Sequence, residues 1–186
     1  MGTVLKWSHH IFLIFGFGSL ACYGLAMLDV SSFEYYTYSP GKPAPTYIKE
    51  APPGQGAVVG TIDIPAIGLS TPILEGVSSR ALRLAVGRIP GTALPGDRGN
   101  MALAGHRDTV FRGLSRIKHH DQVVVTTPKG SQIYRVRSME VVEPKDTRVL
   151  EPTSESKLTL VTCYPFRYIG PAPKRFIVHA YRDEGS

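Results

Sequence analysis

Cys163, His106 and Arg175 are the residues of this 186-residue chain whose types suit nucleophilic acyl chemistry. A thiol attacks a carbonyl as its thiolate, or with a base beside it to take its proton, and an imidazole meets either need. The tetrahedral oxyanion that results needs a fixed donor. A guanidinium supplies charge and directed N–H groups without titrating near neutrality. Each residue stands at the end of a predicted strand. Cys163 closes the run LTLVTC at 158–163, which Pro165 cannot extend because it donates nothing to a ladder. His106 follows the apolar run 100–104, and Arg175 opens the run 175–182. Strand ends beside Gly- or Pro-bearing loops can converge at one rim. A buried small hydrophobe is nevertheless the ordinary fate of a cysteine, and spacing alone leaves the set suggestive.

Other residues compete for these roles. His119 and His120 lie in a polar stretch before Asp121, where a solvated face is expected. His179 follows Arg175 by four residues, so it shares that strand face but stands too far along to meet the same ligand. Arg167 and Lys174 are alternative cations, with Arg167 in a loop. No His/Cys pair has the spacing of a zinc site, and no metal or other cofactor is expected. Thr162, next to the thiol, is either a substrate-positioning residue or a structural strand threonine.

The elements that would hold these residues are mostly short strands: 58–64, 69–74, 100–104, 121–127, 131–142, 157–163 and 175–182. Ser78 can cap a helix through Val86, with Leu82 and Ala85 on its inner face, and 109–117 suits a brief helical turn. Residues 87–99 and 143–156 read as loops, and Tyr134 and Val136 alternate with arginines as on an antiparallel edge strand. About eight strands with one or two short helices give an all-β class, a mostly antiparallel barrel or sandwich.

Ahead of this domain, 22 residues between Lys6 and Asp29 carry no Asp, Glu, Lys or Arg, and 11–28 reads IFLIFGFGSLACYGLAML. A bilayer-spanning helix needs about 20 mainly apolar residues, so residues 1–28 are expected to form a cytoplasmic tip and a transmembrane anchor. A cleaved signal peptide is the alternative, but no clean small-x-small site precedes a mature start. Residues 29–56 hold five prolines at 40, 43, 45, 52 and 53 and read as an extracytoplasmic stalk. Residues 57–186 form the remaining domain. An anchor would place Cys22 in lipid, leaving Cys163 as an unpaired thiol outside the cytoplasm. The formal charge of +6 is scattered, with no dense basic run, so no nucleic-acid partner is expected.

The runs TLVTC at 159–163, AGHR at 104–107 and KRFIV at 174–178 together resemble the sortase family of cysteine transpeptidases. GTIDIP at 60–65, IGL at 67–69 and IPGTALPG at 89–96 resemble further parts of the family. YPF at 164–166, with Tyr168 and GPAP at 170–173, is most similar to the class D branch. The resemblance implies an eight-stranded sortase-type β-barrel behind an N-terminal transmembrane helix, in the cell membrane with the catalytic domain outside. It implies that Cys163 attacks an LPxTG-like C-terminal sorting signal of a secreted protein after its threonine. The thioacyl product would pass to an amine acceptor such as a peptidoglycan precursor. His106 would serve as general acid and base, Arg175 as oxyanion stabiliser, and Thr162 in substrate positioning. The loop 143–156 would shape the substrate groove. Some relatives use calcium there, but Glu143, Asp146 and Glu151 are too ordinary in loops to support calcium here. The contrasting possibility is a non-catalytic membrane-anchored barrel that binds peptides or scaffolds an envelope assembly.

Overall fold

The computed structural model describes residues 53–183. The expected anchor and nearly all of the expected stalk lie outside them. Among the described residues, no helix is long and apolar enough to cross a membrane.

Eight strands close into a barrel: β1 (Val58–Ile64), β2 (Leu69–Glu75), β3 (Val86–Arg88), β4 (Gly99–Ala104), β5 (Gln122–Thr127), β6 (Gly130–Val142), β7 (Ser156–Tyr164) and β8 (Lys174–Arg182). Their order around the barrel is β1-β2-β3-β4-β7-β8-β6-β5, and β5 pairs back onto β1. All contacts are antiparallel except β2/β3 and β4/β7. The inner face is filled by aliphatic residues, among them Ile62, Ile64, Ile73, Leu103, Val125, Leu158, Leu160 and Val178, all fully buried. Their spacing of two along each strand is what a half-buried sheet requires.

Three sequence expectations change. Val86–Arg88, read as the end of a helix and the start of a loop, is strand β3. Its Gly87 lies so close to β2's exit that a Cβ there would sit 2.4 Å from the Gly76 carbonyl oxygen. The helix α1 is accordingly shorter, Ser79–Leu84, with Ser78 capping it as expected by accepting from the Ala81 N–H at 3.2 Å. Of the expected inner face, Ala85 is buried and Leu82 only partly so, while Ala81 joins Ala85 against Leu74. Finally, β6 is no edge: it pairs with β5 on one side and β8 on the other, because closure leaves no free edge. The helical turn expected at 109–117 is a 3-10 turn over Arg112–Arg116, anchored by the fully buried Phe111 and Leu114.

Arg88, buried at the end of β3, makes a two-pronged ion pair with Glu75, both bonds at 2.6 Å. Its Nη1 donates to the Thr92 carbonyl, fixing the loop that leads into β4. A bidentate arrangement is what makes such a buried pair tolerable.

Candidate active site

β7 occupies the centre of the site, between β4 on one side and β8 on the other. Leu158, Leu160 and Thr162 point into the barrel, so the alternate residues Thr159, Val161 and Cys163 face outward. On β8 the outward set is Arg175, Ile177 and His179. The ladder sets Cys163 directly opposite Arg175, which in an antiparallel pair means α-carbons about 4.5–5.5 Å apart. On the other side Ala104 pairs with Val161, and the Gly105 N–H donates to the Val161 carbonyl at 3.2 Å. His106 leaves β4 two residues beyond that pairing, at the level of Cys163. Cys163 and Arg175 thus lie on paired strands and His106 just beyond the neighbouring β4, so all three lie at one rim, and each is half-buried.

Two inward residues set that rim. Gly105 packs so tightly that a Cβ would fall 2.6 Å from Phe111 Cδ2, and its carbonyl accepts from Thr162 Oγ1 at 2.8 Å. Thr162 is only 2% exposed. Its side chain points away from the outer face, so its effect on a substrate runs through Gly105 and the histidine that follows. Both alternatives raised by the sequence, a positioning residue and a strand threonine, fit that placement. Strand alternation with Leu158 and Leu160 is the signal that could have shown it.

The connection between β7 and β8 crosses the rim. Arg107 Nη2 donates to the carbonyls of Tyr168 (2.8 Å) and Gly170 (3.2 Å), and its guanidinium lies 5.8 Å from the Tyr168 ring centroid. Arg175 Nη1 donates to the carbonyls of Ala172 (3.2 Å) and Lys174 (2.9 Å). The guanidinium is thus braced from one side, opposite Cys163. Tyr164, Phe166 and Phe176 cluster beneath the loop, with ring centroids 5.2–6.3 Å apart. Arg167 and Lys174 stay exposed, and Lys174 reaches Glu143 at 3.8 Å.

The loop between β6 and β7 covers the part of the outer face next to the rim. Its 3-10 turn Arg148–Leu150 lays Val149 and Leu150 on Val142, Val161 and Ile177. A polar circuit holds it there. Asn100 Nδ2 donates to the carbonyls of Val149 (3.0 Å) and Glu151 (3.1 Å), and Asn100 Oδ1 accepts from Thr159 Oγ1 at 2.7 Å. Thr159 Oγ1 lies 3.4 Å from His179 Nδ1, and His179 Nε2 lies 2.9 Å from Glu140 Oε1. Glu140 Oε2 in turn accepts from Arg148 of the loop at 3.1 Å. Burial pushes the His179 imidazole below its ordinary pKa, an effect that the Glu140 hydrogen bond offsets only in part. The same hydrogen bond, with help from Arg148, holds the Glu140 carboxyl below the usual range. His179 is therefore a structural tie, as its distance along the strand suggested. Sequence reasoning missed the circuit because its members are scattered from position 100 to 179. Among the described residues, no group of three or more His, Cys, Asp or Glu could hold a metal ion.

A sortase-domain family model matches residues 62–183. The chain is 36% identical over 131 residues to sortase D of Bacillus subtilis (strain 168), covering 70% of this chain and 66% of that protein. It is 30% identical over 132 residues to sortase A of Streptococcus agalactiae serotype III (strain NEM316), covering 66% of this chain and 52% of the relative. These matches span less than two thirds of either relative. Among solved structures, a Clostridium perfringens sortase D5 transpeptidase superposes with a TM-score of 0.64 at 32% identity, over 70% of this chain and 81% of that one. Sortase A from Corynebacterium diphtheriae gives the same TM-score at 30% identity, over 71% and 65%. Two of these four are class D proteins, the branch expected from the residues after the thiol. With this barrel and with its Cys, His and Arg gathered at one rim, the chain belongs to the sortase family.

Proposed function

We propose that the chain is a membrane-anchored cysteine transpeptidase acting on LPxTG-like sorting signals of secreted proteins. The observation that carries this reading is the in-register pairing of Cys163 with Arg175, one strand away from the exit to His106. The thiolate of Cys163 adds to the threonine carbonyl carbon, and Arg175 donates to the oxyanion. Collapse breaks the C–N bond, with the leaving amine taking a proton from His106. An amine acceptor such as a peptidoglycan precursor then adds to the thioester and yields its proton to His106. Breaking the C–S bond returns the thiolate and leaves a new amide.

The membrane assignment rests on the apolar segment at 7–28.

The test is mass spectrometry of the full chain in neutral detergent, with a sorting-signal peptide and an added amine. Cleavage after threonine, an acyl adduct on Cys163 and an amide product are expected. Turnover that survives in Cys163→Ala overturns the assignment. A product that is only the free acid, whatever amine is present, makes the protein a protease instead, and no adduct or cleavage at all favours the non-catalytic barrel. Finding that the mature protein begins beyond Leu28 refutes the anchor.

A further inference from the structure

We propose that the end of the barrel opposite the thiol carries a binding groove for phosphate-bearing ligands, formed by Arg98, Arg137 and Arg182. Two hollows of about 340 and 580 Å³ lie side by side there and share Arg137, Tyr181, Arg182 and Asp183 as walls. Arg98 closes the larger hollow and Arg135 the smaller. The groove follows the outer face of β8: Lys157 pairs with Tyr181 six residues before Cys163 pairs with Arg175, about 20 Å along the strands. It is therefore separate from the acyl-transfer site.

The charges of the groove's described residues do not cancel. Among the described residues its carboxylates are Glu155 and Asp183, and Asp183 is already engaged by Arg135 at 2.5 Å. Arg98, Arg137 and Arg182 are exposed and make no ion pair with a described residue. Like charges gathered around one hollow repel one another, and an anion relieves that repulsion. Arg137 is also held in place, its guanidinium 4.7 Å from the Tyr181 ring centroid, with an irregularity in β6 pairing at its position. A braced guanidinium presents its paired N–H groups at less entropic cost than a free one, and phosphate oxygens match that fork. His119 and His120 line the smaller hollow and add further donors.

The chain enters the barrel at this same end, at Val58, after the apolar segment of the sequence. A phospholipid headgroup is one source of phosphodiester, and a soluble phosphodiester is the other. The lipid source rests on the anchor reading, whereas phosphate binding itself does not.

The test uses full chain in uncharged detergent micelles, titrated calorimetrically with glycerophosphoglycerol and, separately, with the same micelles doped with phosphatidylglycerol. Saturable binding is expected, weakened about tenfold or more in R137Q/R182Q and little changed in R83Q/R112Q, which removes the same charge elsewhere. Binding of doped micelles alone identifies the membrane source, and binding of both ligands identifies the phosphodiester itself. No binding of either ligand, or equal loss in the two double variants, overturns the proposal. Sorting-peptide turnover is measured in parallel: it stays unchanged in R137Q/R182Q, so the groove and the acyl-transfer assignment fail separately.

Discussion

Replacing Asn100 tests the circuit that fastens the β6/β7 loop over the outer face. Asn100 is 3% exposed and its side chain makes three hydrogen bonds, two to loop carbonyls and one from the fully buried Thr159 hydroxyl. Asn100→Ala removes all three and leaves their partners without replacements. At about 1 kcal/mol for each bond, the loss is about 3 kcal/mol. For a domain of this size that lowers the melting temperature by roughly 10 °C. Asn100→Asp keeps the acceptor for Thr159 but turns an oxygen toward the carbonyls of Val149 and Glu151. A buried charge facing two carbonyls is worse than a hole, so this variant is expected to be the less stable of the two at neutral pH. Lowering the pH protonates the new carboxyl and restores one donor, narrowing the gap between the variants. Circular-dichroism melts at several pH values measure this order. In sorting-peptide kinetics both variants raise KM more than they lower kcat, because the loop rather than the thiol is released. An Asn100→Asp protein as stable as the parent, or an Asn100→Ala loss of under 3 °C, refutes the reasoning.

Thr162→Val deletes the bond to the Gly105 carbonyl. It is expected to cost about 1 kcal/mol of stability in a denaturant titration and to lower kcat with KM nearly unchanged; an unaltered kcat removes Thr162 from the positioning of His106. The folded pKa of His179 lies below its unfolded value near 6.5. The unfolded chain therefore binds more protons there, and stability falls as pH drops from 7 toward 5. Melts across that window are expected to show a shallower slope in His179→Gln, and an identical slope excludes the imidazole as the source. Glu140 acts in the same direction at lower pH, as its own carboxyl protonates. Arg107→Ala frees the β7/β8 loop from its two carbonyl bonds, so limited proteolysis is expected to cut between Pro165 and Pro173 several-fold faster; unchanged cleavage there counts against the brace.

Periodicity made most of this barrel legible. Seven strands stood out because apolar residues alternate along them, and the three chemical residues stood out because each ends or opens such a run. β3 escaped because three residues are too few to show a period and its centre is a glycine, a residue that weakens strands unless backbone packs closely against it. The edge reading of β6 failed for a different reason: half-buried alternation describes a strand's two faces and is silent about its neighbours. The ties around the site were hidden as well. Arg88–Glu75, Asn100–Thr159 and Arg107–Tyr168 join residues 13, 59 and 61 positions apart, and no local pattern marks one partner for the other.

The parallel pairing of β4 with β7 also governs when the site comes into existence. Gly105 and Thr162 stand 57 residues apart, and the segment between them contains two further strands that must find places on the other side of β8. Loop closure of that length comes before any reward from the contacts it allows, which makes such pairings slow. β8, the last strand made, carries Arg175 and is needed on both sides, by β7 and by β6. A chain emerging from its N-terminus thus holds His106 early, Cys163 late and Arg175 last. Cys163 gains its neighbours only as the barrel shuts, so an incomplete chain presents the cysteine without the partners proposed for it.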